Sequence, residues 1–350
     1  MPDQTSSSLL AHGAEQLSLV TVDTYNAELR SSEGFVGDRA SRRAFLAILD
    51  DWRERVRQAG EDPFGDTPTE EISKKQLDKV LAQGDAEAAG IIHGSIEEFA
   101  HEFAQVIRRF LRLKHWKDTQ RIVIGGGLRQ SRIGELAIGR TAVLLKSNGF
   151  DIELKPISHE PDHAGLIGSV QLLPSWILAG HDSILAVDIG GSNIRAGIVE
   201  LNTKKKADFS AASVGRFELW RHSEDNPARE DAVTRLIEML NDLIKRAAKD
   251  DLQLAPFIGI GCPGVIRPDG TIDRGGQNLP GNWEVKSFNL PQLLREAIPK
   301  IGDHETFVVM HNDAVVQGLS EVPLMRDVDH WGVLTIGTGL GNARFTNKEG

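Results

Sequence analysis

The 350-residue sequence predicts an α/β protein, and three observations lead there. Short apolar runs at 122–124, 184–188, 257–261 and 333–336 read as buried strands. Stretches at 85–113 and 231–249 carry apolar residues at helical spacing. The two kinds of segment alternate along the chain instead of falling into separate blocks.

The elements follow in order. Residues 1–12 are polar, and 17–22 alternate like a strand. Residues 40–59 are predicted helical, 60–69 form a loop rich in Pro, Gly and Asp, and 74–81 and 85–113 are helices. The strand at 122–124 runs directly into Gly125-Gly126-Gly127; a helix to 148 and a strand at 152–156 follow. A seam near 174–182 introduces a β-rich pattern, with 184–188 and 194–201 forming a hairpin around a glycine turn. A helix at 231–249, a strand at 257–261 and a Gly/Pro/Asn-rich segment to 289 come next. The strand at 306–310 ends on His311-Asn312-Asp313, and 333–336 closes on Gly337-Thr338-Gly339-Leu340-Gly341.

Composition narrows the function classes. Fifty acidic against 40 basic residues give a formal charge of −10, a field that attracts neither nucleic acid nor anionic membrane. The basic clusters at 108–114 and 204–206 lack interleaved aromatics and read as solvated faces. A single cysteine, Cys262, excludes an intramolecular disulfide and a multi-cysteine zinc site. It reads as a small buried side chain, since no basic partner is near it in the sequence. No signal peptide and no membrane-length apolar run are visible, so a cytoplasmic setting is expected.

Four segments are candidates for chemistry. Asp188-Ile189-Gly190-Gly191-Ser192-Asn193 lies on a turn between strands. Its glycines let backbone N–H groups approach a phosphate, and the aspartate suits a hydrated Mg²⁺; a plain hairpin turn is the alternative. Gly337–Gly341 offers a second such turn, and it is not a dinucleotide fingerprint, because its third glycine falls one position early. Asn312-Asp313 either caps a helix or supplies a general base. Cys262-Pro263-Gly264 and Asn278-Leu279-Pro280-Gly281-Asn282-Trp283 combine loop formers with amides and an indole suited to a sugar.

Together these segments resemble the ROK family of sugar kinases and related repressors. Residues 184–201 are similar to the family's first phosphate motif, normally at the N-terminus, and 331–345 to its second. Residues 258–289 resemble the block that begins G-x-G-x-P-G and ends N-x-P-G-W, with Asn282 as one extra residue. Residues 308–318 resemble the block bearing the catalytic aspartate, which maps onto Asp313. The part of the family that normally follows stands first here: 78–92 and a long helix, then RIVIGGGL, then 158–173. Residues 13–23 resemble the A-G-E-x-G-H block. The resemblance therefore implies a circularly permuted order, in which joining residue 350 to residue 1 restores the family chain.

The implied fold is a two-lobed, ribonuclease-H-like (actin-like ATPase) α/β architecture with a ligand cleft between the lobes. Residues 1–173 and 311–350 would form the larger lobe, and 181–310 the smaller. The implied reaction is ATP-dependent phosphorylation of a sugar hydroxyl, with a hexose, an N-acetylamino sugar or a related polyol as acceptor. Asp313 would be the base. Asn312, Asn278, Glu15 and Gly264 would hold the sugar, and Asp188 would position Mg²⁺ through water. Gly190, Gly191, Ser192, Asn193, Thr338 and Gly339 would clamp phosphates, and Gly126 and Gly127 would face the adenosine. The family's zinc cysteines are absent and Ser18 stands at its histidine, so no structural zinc is expected. The alternative is a catalytically inactive sugar-binding or regulatory protein. A repressor is disfavoured, because the family's basic winged helix is replaced here by kinase-like sequence. A homodimer is the candidate assembly, with no nucleic-acid or membrane partner.

Overall fold

A computed structural model describes residues 11–32 and 34–349; the polar reading of residues 1–10 lies outside them. The main strands are β1 (Val20–Tyr25), β2 (Arg121–Gly125), β3 (Glu153–Pro156), β4 (Ser183–Ile189), β5 (Ile194–Glu200), β6 (Ser213–Trp220), β7 (Leu254–Cys262), β8 (Phe307–Asn312), β9 (His330–Ile336) and β10 (Leu340–Asn347). The class is α/β, as predicted, with parallel and antiparallel pairings.

The chain divides into two compact units. The first gathers residues up to Asn26, Ser158–Asp329 and the stretch from Asn342; the second is Ala27–Ile157 with His330–Gly341. The division runs through stretches that the sequence reading grouped together: 158–173 cluster with 183–310. The reason is a close contact. The helix Pro161–Gly168 packs on β4 and β5 so tightly that a Cβ at Gly165 would lie 2.5 Å from the Asp188 Cγ and a Cβ at Gly197 2.9 Å from the Leu166 Cδ1.

In the first unit, β8, β7, β4, β5 and β6 form one sheet in that order. β8, β7 and β4 run parallel, and β5 and β6 extend the sheet antiparallel. Every residue of β4 is buried, as expected for a strand covered on both faces. Leu185, Val187 and Ile189 share a core with Leu236, Met239, Leu240 and Leu243 of the helix Arg229–Lys249. Each such side chain contributes roughly 1.5–3 kcal/mol of burial. β1 pairs antiparallel with β10, from Val20 opposite Asn347 to Tyr25 opposite Ala343. The strand expected at 17–22 begins three residues later because Leu17 N donates to Val20 O at 3.0 Å, closing a turn.

In the second unit, β9, β2 and β3 are parallel neighbours. Ile122 and Ile124 pack with Phe99, Phe103 and Ile107 of the helix Ala86–Phe110. Asp85 starts that helix by accepting from Glu87 N and Ala88 N at 3.0 and 2.9 Å, a cap worth about 1 kcal/mol. β6 and the helix Pro161–Gly168 were not marked in the sequence. Half of β6 is exposed and none of it is fully buried, so its pattern lacks an apolar face to announce it.

Candidate active site

The first unit aligns three strand ends. In the ladders, Asp188 of β4 and His311 of β8 both stand opposite Gly261 of β7. A Cβ at Gly261 would lie 3.5 Å from Asp188 Oδ1 and 3.5 Å from the Asp313 Cα. A residue without a side chain thus lets two acids share one end of the sheet.

Asp313 opens the helix Asp313–Leu319, and Asn312 caps it. Asn312 Oδ1 accepts from Ala314 N at 3.0 Å and Val315 N at 3.3 Å, while its Nδ2 donates to Gly264 O at 3.0 Å. The capping reading of Asn312 is therefore realised, and both ends of its amide are engaged. Gly264 adopts φ +103°, with a Cβ position only 2.6 Å from the Arg274 carbonyl oxygen. That conformation favours glycine.

Asp188 is 3% exposed and held on two sides. Arg195 Nη1 reaches its Oδ2 at 3.4 Å, and the same guanidinium grips Asp162 Oδ1 through Nε at 2.9 Å and Nη2 at 2.7 Å. A Cβ at Gly165 would sit 2.5 Å from the Asp188 Cγ.

Burial sets the electrostatics. It is the main force pushing the Asp313 carboxyl up to about 7, and the Asp188 charge adds to it, against stabilising bonds that include the Ala314 N–H. Burial likewise raises Asp188, opposed by Arg195 and reinforced by Asp162. A carboxylate held near neutrality suits a general base.

The glycine turn after β4 is braced from outside. Gly190 N donates to Asn193 O at 2.8 Å, Ser223 N donates to Ser192 O at 3.3 Å, and the His222 Nε2 lies 2.9 Å from Gly190 O. Asn278 is exposed beside this turn: a Cβ at Gly191 would lie 3.0 Å from the Asn278 Cβ. Glu15 is exposed, in a segment bonded to β8. Trp283 corrects the sequence reading: it is 1% exposed, packs on Phe288 and donates Nε1–H to Pro280 O at 2.7 Å. Its indole belongs to the core and presents no face to a sugar. Cys262 is buried, as read, and burial raises its thiol well above the ordinary range.

The remaining predicted residues lie in the second unit. Gly126 follows β2 at φ +89°, and a Cβ there would meet the Ile336 carbonyl oxygen at 2.2 Å. Gly127 O accepts from Lys74 Nζ. Beyond β9, Gly337 N donates to Gly339 O at 2.9 Å; Thr338 is exposed and Gly339 half-buried. Lys74 also lines an apolar cleft with Phe45, Leu46, Ile72, Leu77 and Leu128.

Sequence reasoning missed Arg195, Asp162, Gly165, Lys74 and His311. Arg195 left one signal: a charged residue inside the apolar run of β5, two positions past the glycine turn. Among the described residues no group of three or more His, Cys, Asp or Glu is arranged to hold a metal ion. No described helix is long and apolar enough to cross a membrane.

No protein-family model matches the chain. Over 164 residues it is 28% identical to the glucokinase of Thermotoga maritima, a match covering 47% of this chain and 44% of that one. The chain thus spans less than half the length of the curated relative it matches. Among solved structures, it is similar to a Cytophaga hutchinsonii chain assigned as a sugar kinase, with 20% identity and a TM-score of 0.36 over 47% of this chain and 48% of that chain. It is also similar to the ROK hexokinase of Thermus thermophilus, with 22% identity and a TM-score of 0.30 over 46% and 45%. The glucokinase match agrees with the family resemblance carried by the motifs.

Proposed function

We propose that the chain is an ATP-dependent sugar kinase in which Asp313 is the general base. One observation carries the reading: Asp313 and Asp188 face each other across Gly261 at the ends of the two strands that flank β7, and Asp313 is held protonatable at about pH 7. The 28% identity to a glucokinase supports it. The acceptor hydroxyl oxygen attacks the γ-phosphorus, the bond from that phosphorus to the ADP oxygen breaks, and the hydroxyl proton passes to the Asp313 carboxylate. Asn278, Glu15, Asn312 and Gly264 form the acceptor's surroundings in this reading. Gly190, Gly191, Ser192, Asn193, Thr338 and Gly339 supply phosphate contacts, and Gly126 and Gly127 face the adenosine. The acceptor is a hexose, an N-acetylamino sugar or a related polyol.

Mg²⁺ fits the donor set. Asp188 is a hard oxygen donor in a desolvated position beside a second carboxylate, so a cation there offsets two unfavourable terms at once. When bound with ATP, the ion supplies charge neutralisation on the phosphates. Asp188 would hold it through water, with Arg195 keeping the carboxylate oriented.

The segment order is circularly permuted relative to the family in this reading. Two facts support it. Residues 343–347 pair with 20–25 as neighbouring strands of one hairpin would, and the glucokinase match stops at about half of each chain, as a collinear comparison of permuted sequences does.

The test is an ADP-release assay with Mg-ATP across hexoses, N-acetylamino sugars and polyols, wild type beside Asp313→Asn. Turnover on a sugar that is lost in the variant supports kinase and base together. Sugar or ATP binding without turnover on any acceptor would instead favour the regulatory protein.

A further inference from the structure

A short segment, residues 12–15, is stapled to the end of β8 within the first unit. Met310 N donates to His12 Nδ1 at 3.1 Å, and Gly13 N donates to Met310 O at 2.9 Å. His311 Nε2 lies 3.1 Å from Ala14 O, and Val22 N donates to Glu15 O at 2.7 Å. At Gly13 φ is +58°, and a Cβ would sit 2.3 Å from the Ile266 carbonyl oxygen. Only glycine permits that approach.

His311 is the hinge pin of this arrangement. It is 1% exposed, and its Nδ1 accepts from Asn312 N at 2.7 Å. An accepting Nδ1 places the ring proton on Nε2, which therefore donates to Ala14 O. Burial pushes its pKa down to about 4, so the ring stays neutral. The Tyr25 ring meets it edge-on, with centroids 5.1 Å apart, and Tyr25 Oη bonds both Ile266 N and Ile266 O, at 3.3 and 3.4 Å. One imidazole thus touches the base-bearing loop with one nitrogen and the Glu15 segment with the other. Glu15 follows Ala14 directly, and its charge adds to the burial that raises the Tyr25 phenol.

We infer that His311 is a positioning residue that locks the Glu15 segment to the Asn312–Asp313 loop and so sets affinity for the sugar acceptor while leaving nucleotide affinity alone. The bland reading is a satisfied core histidine, which would affect stability only. The locking half of the inference stands on geometry alone; the acceptor half rests on the kinase reading.

Two measurements test it. Hydrogen exchange reads the lock: His311→Leu should speed exchange of the amides in residues 12–22, and His311→Gln, which keeps a donor near the Nε2 position, should lie between. Steady-state kinetics read the consequence: His311→Leu, which removes both ring hydrogen bonds, should raise the acceptor KM about tenfold or more, with the Mg-ATP KM unchanged. Gly13→Ala, which moves the segment without touching the histidine, should act in the same direction. Unchanged exchange in His311→Leu, both KM values moving together, or a lowered Tm alone would overturn the inference. A wild type that phosphorylates no sugar would sink the kinase reading, and the exchange experiment would still decide the lock.

Discussion

Two glycine turns close two buried strands of this chain, and they do different work. After β4 the turn 190–193 is headed by Asp188, a buried carboxylate gripped by Arg195 and set beside Asp313. After β9 the turn 337–341 is headed by Thr335 and Ile336, with no ionisable group, and Ile336 is pressed against Gly126 of the β2 end. The first turn is organised by charge, the second by steric fit. A glycine turn at the end of a buried strand therefore does not by itself imply a given chemistry. What distinguishes the two is the residue at the strand end, and whether a neighbouring strand delivers a second charge to it.

The largest test of the charged end is Asp313→Asn. It should lower kcat by about 10²–10⁴-fold in the ADP-release assay, the usual contribution of a general base, with both KM values little changed. A variant with wild-type turnover would remove the chemical distinction between the two turns.

The steric end breaks differently. Gly126→Ala forces a β-carbon into φ +89° and against the Ile336 backbone, which should cost about 2–4 kcal/mol in a denaturant melt. Gly165→Ala strikes the buried Asp188 side chain, 2.5 Å from its Cγ and 3.0 Å from its Cβ, so it should cost about 1–3 kcal/mol and also weaken Mg-ATP binding by calorimetry. If both variants lost stability equally and neither changed nucleotide affinity, the two turns would be mechanically the same.

The third effect is pH dependence. Asp313 is raised from 3.8 in the unfolded chain to about 7 in the fold, so the folded state binds more protons between those values. Its contribution to stability is present below pH 4 and lost as pH rises through 7. Activity has the opposite sign, since the base must be deprotonated. kcat/KM should thus climb with pH to a plateau above 7, while the Tm of Asp313→Asn should exceed wild type most at high pH. A flat Tm difference across that range would mean the group is not desolvated.

Much of this was legible in the sequence, for identifiable reasons. β2, β4, β7 and β9 are built around predominantly apolar runs, because strands buried on both faces need apolar residues on both. Asp188 and Asp313 stood out as charges at the ends of such runs. What could not be read were partners set by tertiary contact. Asp162 and Gly165 sit in a short helix whose role is defined only by the strand it packs on. Trp283 was misread because a Gly/Pro/Asn-rich loop suggests exposure, whereas this one folds its indole inward against Phe288. His311 gave no signal at all, since its two partners are its own neighbour's amide and a carbonyl almost 300 positions away.

The smallest expected effect is the sharpest check on the row of strand ends. Cys262 ends β7 opposite Asn312, between the two acids, and is the chain's one thiol. Burial, then the charges of Asp313 and Asp188, push its pKa well above the ordinary range, so thiolate is suppressed. It should therefore act as a small apolar filler. Cys262→Ala should cost about 1 kcal/mol in stability, the scale of a single removed heavy atom in a core, and leave kcat within about twofold. Iodoacetamide should label the native protein no faster than it unfolds. Rapid labelling, or a large fall in kcat, would put a third reactive group at this end of the sheet, and the pairing of two carboxylates across a passive β7 would no longer describe it.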